Sequence, residues 1–94
     1  MTDRYDSSYY EELQGQVRGV VIEVEQWLTK GQLELLNELI DANEPGVALE
    51  MVSDLLMESE AMLPRSTKES IGRLVATMEL PAMVADQLES RTIQ

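Results

Sequence analysis

Ninety-four residues fit one domain with a modest core, and without phenylalanine that core must rest on Leu, Val, Ile and Met. Eighteen acidic residues against seven basic ones give a net charge of -11, which disfavours nucleic acid and anionic membranes and favours a basic protein partner. The absence of cysteine and histidine excludes disulfides and thiolate chemistry, and removes the commonest general base and metal ligand.

The opening MTDRYDSSYYEEL is acidic and polar, unlike a signal peptide. No apolar run approaches the roughly 20 residues that span a bilayer. The expectation is a cytoplasmic protein. Apolar residues fall at helical spacing throughout, and no stretch alternates like a strand. Tyr10, Leu13, Val17, Val20, Val24 and Trp27 form one stripe on a helix over about 8–28, with Ser7 or Ser8 as its cap. The stripe suits packing inside a small bundle, with a coiled-coil seam as the alternative. Gly15 and Gly19 lie opposite it, and Gly31 is read as a break.

A second helix is expected over about Gln32 to Asn43. Leu33, Leu35, Leu36, Leu39 and Ile40 take one side, with Glu34, Glu38 and Asp41 in a narrow band on the other. Glu44-Pro45-Gly46 forms a tight turn, with Pro45 suited to the first turn of a third helix and Gly46 needed for its backbone freedom. That helix runs to about Glu60. Ala48, Leu49, Val52, Leu55 and Leu56 face inward, and Glu50, Asp54 and Glu58 align outward. Residues 32–60 therefore make a central αα-hairpin with an acidic stripe on each helix. Leu63-Pro64 ends the hairpin. Ser66 and Glu69 read as a capping box for a fourth helix, with Ile71, Leu74, Val75 and Met78 inside. Pro81 starts a short last helix carrying Val84 and Leu88. The fold class is thus all-α, a compact bundle of four to five helices in one domain, with residues 1–6 and 91–94 expected to fray.

Asp41, Asn43 and Gly46 match three positions of a calcium loop, but Pro45 and Val52 stand where an oxygen ligand and the bidentate Glu are required, so no metal site is expected. Paired carboxylates on outward faces lack a cleft to separate their pKa values, and there is no glycine-rich phosphate loop. Neither catalysis nor a cofactor is expected. The acidic stripes themselves point elsewhere. No Lys or Arg occurs between Lys30 and Arg65, although each like-charge i, i+4 pair costs a few tenths of a kcal/mol. Val47, Met51 and Met57 border the outer stripe, and apolar anchors rimmed by charge make a protein-binding patch. The expected partner-binding residues are Glu34, Glu38, Asp41, Glu44, Val47, Glu50, Met51, Asp54, Met57 and Glu58.

Residues 39–50, LIDANEPGVALE, followed by Leu55 and Leu56, resemble the central motif of the MafI-type immunity proteins. The similarity runs over about residues 33–80, sharp only over some fifteen, and Pro45 departs from the aromatic or aliphatic residue common at its position. In architecture alone the chain is similar to the acidic four-helix immunity proteins of nuclease colicins. The resemblance implies a bacterial cytoplasmic protein that neutralises a cognate polymorphic toxin, often a nuclease. It leaves Glu44 and Glu50 with two readings, as caps that fix the turn or as binding contacts. The alternative function is an acidic helical adaptor, or a self-associating protein using the stripe of the first helix. A homo-oligomer is compatible with both.

Overall fold

A computed structural model describes residues 7–93 and builds them from five α-helices and two 3₁₀ segments. The helices are α1 (Ser7–Val24), α2 (Lys30–Asp41), α3 (Pro45–Glu58), α4 (Arg65–Thr77) and α5 (Met83–Asp86); the 3₁₀ segments cover Glu25–Trp27 and Gln87–Arg91. α3 is the hub and packs against the four other helices and the final 3₁₀ segment. That position explains why its buried set is broad, with Pro45, Ala48, Leu49, Val52, Ser53 and Leu56 all inside. α1 packs on α2, α3 and α4, and α4 packs on α5.

The stripe of α1 is spent in this core. Leu13, Val17, Val20 and Val24 are buried, and Val21 joins them. A face that includes 20 and 21 together is too wide for a coiled-coil seam and suits a bundle interior. Tyr10 is exposed and Trp27 half-buried. Ser7 and Ser8, expected as its cap, stand within α1, and residues 1–6 and Gln94 lie outside the described residues. Gly15 and Gly19 have open space where a Cβ would sit, so no close backbone approach requires them.

Gly31 does not break the chain. It stands in the first turn of α2, which begins at Lys30 because Thr29 and Gln32 form a capping box. The Thr29 hydroxyl accepts from the Gln32 amide at 3.1 Å, and the Gln32 side chain accepts from the Thr29 amide at 2.9 Å. Two of the helix's otherwise unpaired donors are thereby satisfied. The box expected at Ser66 and Glu69 does not form. Pro64, extended at φ -59° and ψ 145°, precedes α4 without a side-chain cap. Thr67 is turned inward instead, and its hydroxyl donates to Glu23 of α1 at 2.9 Å.

α2 and α4 end alike. After α2 the Glu44 amide donates to Leu39 and the Asn43 amide to Ile40; after α4 the Leu80 amide donates to Val75 and the Glu79 amide to Ala76. Each pair of bonds is the Schellman arrangement, which requires a left-handed residue after the helix. Asn43 fills that place at φ 63° and Glu79 at φ 56°. Gly46 is therefore not the conformationally special residue of the hairpin turn. It has no positive φ, and a Cβ there would meet Leu80 Cδ2 at 3.3 Å. Pro45 does occupy the first turn of α3.

Where it is described, the C-terminal segment is tied to the bundle by hydrogen bonds. The Leu63 amide donates to the Arg91 carbonyl at 2.7 Å and the Ile93 amide to the Leu63 carbonyl at 2.9 Å. The Arg91 guanidinium donates to the Met57 carbonyl at 2.7 Å, near the negative end of α3. Glu89 bridges to Arg65 at 2.9 Å and to Lys68 at 3.5 Å. Its hydrogen bond, and then its charge, raise the Arg65 pKa. Buried Leu88 and Thr92 anchor the segment from inside. Among the described residues no helix is long and apolar enough to cross a membrane.

Candidate functional site

The hairpin carries its acids outward as expected, but the two stripes border different neighbours. On α2, Glu34, Glu38 and Asp41 are exposed. Asp41 receives the Arg18 guanidinium of α1 at 2.9 Å, and Arg18 also donates to Asn37 at 3.1 Å. The cation missing from the hairpin's own sequence is supplied across the helix interface. On α3, Asp54 accepts from Gln87 at 3.2 Å. Glu50 and Asp54 line a groove of about 230 Å³ with Pro81, Met83, Val84 and Gln87. One stripe thus adjoins α1 and the other adjoins the α5 segment.

The remaining site residues divide by burial. Val47 is 45% exposed. Glu58 and Glu44 are exposed and Glu50 is half-buried. Met51 and Met57 are half-buried and pack against the core, so they support the surface more than they project from it. Leu35, expected inside, is 44% exposed on the hairpin's outer side. The capping reading of Glu44 and Glu50 does not hold. Glu44 precedes α3 but makes no side-chain capping bond, and Glu50 lies beyond the first turn. Glu34, Glu38, Glu44, Glu50 and Glu58 make no ion pair or side-chain hydrogen bond among the described residues. Asp41, which headed the rejected calcium loop, is committed to Arg18. Among the described residues no three Asp or Glu side chains gather in a way that could hold a metal.

Two features of this surface were not legible in the sequence. Met83 is 65% exposed beside the Glu50–Asp54 groove, and it sits on a helix of four residues, too short to show periodicity. Ser53, a polar residue of α3, is fully buried. Its hydroxyl donates to the Val84 carbonyl and accepts from Gln87, which fixes α5 and its Met83 against α3.

Compared with known proteins, the chain matches no family model, no curated protein and no solved structure.

Proposed function

We propose that the protein is an immunity-type inhibitor that acts in the bacterial cytoplasm and binds a basic toxin domain through the acidic outer surface of the α2–α3 hairpin. The observation that carries this reading is the α3–α5 flank. There, Glu50 and Asp54 line a groove beside Met83, and Val47 stands exposed on the same helix as the two acids. Carboxylates without cations attract a basic surface from a distance, and apolar side chains among them hold it once docked. Five glutamates unpaired among the described residues and a net charge of -11 extend the attraction over the hairpin. A nuclease toxin fits because it must carry a basic surface to hold nucleic acid. The MafI-like motif, residues 39–50, lies in the same segment. Self-association through the stripe of α1 is disfavoured, since Leu13, Val17, Val20 and Val24 are buried in the chain's own core.

The test begins with a pull-down against the product of the adjacent upstream gene, followed by binding kinetics. Glu34→Lys, Glu38→Lys and Glu58→Lys together touch only unpaired, exposed acids. They should slow association about tenfold or more, as loss of electrostatic steering does. Glu11→Lys, Glu12→Lys and Glu69→Lys together make the control, with the same change in net charge. Equal association rates for the two triple variants, or protection of toxin-expressing cells lost only in the control, would place the interface elsewhere.

A further inference from the structure

A second cleft, of about 330 Å³, lies where the start of α1 meets the turns after α2 and α4. Tyr9 and Tyr10 line it, their rings edge-to-face with centroids 5.6 Å apart. Buried Leu13 and half-buried Met78 and Leu80 add an apolar surface. Among the described residues, the only charged ones in the lining are Glu44 and Glu79, both exposed. Neither makes an ion pair or side-chain hydrogen bond among the described residues. We propose that this cleft binds a guanidinium group carried on an aliphatic stem, as an arginine side chain presents it.

Each part of the lining matches a part of that group. The carboxylates offer a planar cation paired N–H···O bonds, which a spherical ammonium cannot match. Tyrosine ring faces attract a cation through their quadrupole and let a flat guanidinium stack. Leucine and methionine cover methylenes, which charged side chains lay along apolar surface. An anion is opposed by both carboxylates. A hard metal ion is poorly served, because two carboxylates among aromatic and aliphatic side chains leave most of its coordination unfilled. The proposal does not rest on the toxin reading: the cleft and its chemistry are the same whatever protein or solute brings the cation.

The experiment is a titration followed by amide NMR, with N-acetyl-arginine amide as ligand and N-acetyl-citrulline amide, its uncharged isostere, as control. The arginine compound should give saturable shifts at Tyr10, Gly46, Glu79 and Leu80, with a dissociation constant on the order of 1 mM, as for a single small contact. Tyr10→Ala should weaken binding about two- to five-fold, the size of an exposed cation–π contact. Glu44→Gln, at an exposed junction outside the core, should weaken it as well and guards against a misfolded tyrosine variant. The triple lysine variant at Glu34, Glu38 and Glu58 should leave these shifts in place, which separates this site from the hairpin surface. Equal shifts with the citrulline compound would overturn the proposal. So would unsaturated shifts spread over Glu34, Glu38 and Glu58, the mark of general cation screening. Free L-arginine distinguishes the source. Weaker binding than the capped form points to a protein side chain, because the cleft then has no use for the free α-ammonium and α-carboxylate, and tighter binding points to a free guanidino solute.

Discussion

Replacing Glu79 with glycine should stabilise the protein, and the gain can be divided into two physical parts. Glu79 follows α4 at φ 56°, a left-handed conformation that side-chain-bearing residues resist. The resistance amounts to about 1–2 kcal/mol, because Cβ crowds the following carbonyl oxygen. Glycine removes it but gives back about 0.5–1 kcal/mol through the greater freedom of the unfolded chain. The backbone part should therefore come to about 0–1.5 kcal/mol, centred on about 0.75 kcal/mol. The second part is charge. Glu79 stands at the negative end of α4, where a carboxylate is repelled by about 0.3–1 kcal/mol. Glu79→Gln removes the charge while keeping the side chain in its left-handed place, so it isolates this second part. The expected order of stability is Gly above Gln above wild type, with the glycine variant ahead of wild type by about 1 kcal/mol or more. For a domain of this size that corresponds to about 4–8 °C in melting temperature. Urea unfolding followed by circular dichroism measures all three on one scale. A glycine variant no more stable than the glutamine variant would refute the strain argument and leave only the charge. The same glycine variant should bind the arginine ligand less tightly, because it removes a cleft carboxylate.

Ser53→Ala should cost about 1–3 kcal/mol, since it removes the hydroxyl that donates to the Val84 carbonyl and leaves Gln87 with Asp54 alone as acceptor; an unchanged denaturation midpoint would show that α5 is not held this way. The amides of Leu63 and Ile93 should exchange slowly with deuterated water, because each donates across the tail. Exchange as fast as in an unstructured peptide would restore the picture of a frayed C-terminus. At position 46, alanine should be near neutral, its helix propensity of about 1 kcal/mol offset by the tight contact to Leu80 Cδ2. Valine there, with two further methyls and a stiff β-branch, should destabilise by about 1 kcal/mol or more in thermal melts.

The all-α architecture was written in the spacing of apolar residues, because a helix repeats every 3.6 residues and each face keeps its environment for several turns. Leu13, Val17, Val20 and Val24, or Ala48, Leu49, Val52 and Leu56, declare their burial by position alone. The acidic stripes were legible for the same reason, as was Pro45 at the start of α3. The capping box of Thr29 and Gln32 is also present in the residues, beside a Gly31 that by itself suggests a break. Choosing between it and the equally well-formed pattern at Ser66 and Glu69 needed the tertiary fold. Thr67 turns toward Glu23 of another helix, and no local rule contains that partner. Contacts between segments far apart in sequence were invisible throughout. Arg18 answers the missing cations of the hairpin from 23 positions away, and Gln87 reaches back to Ser53 and Asp54. The sequence could say that the hairpin's charge was unbalanced. Only the packing of α1 and α5 against it decided which acids are neutralised, which stay free, and that Tyr9, Tyr10, Glu44 and Glu79 line one cleft.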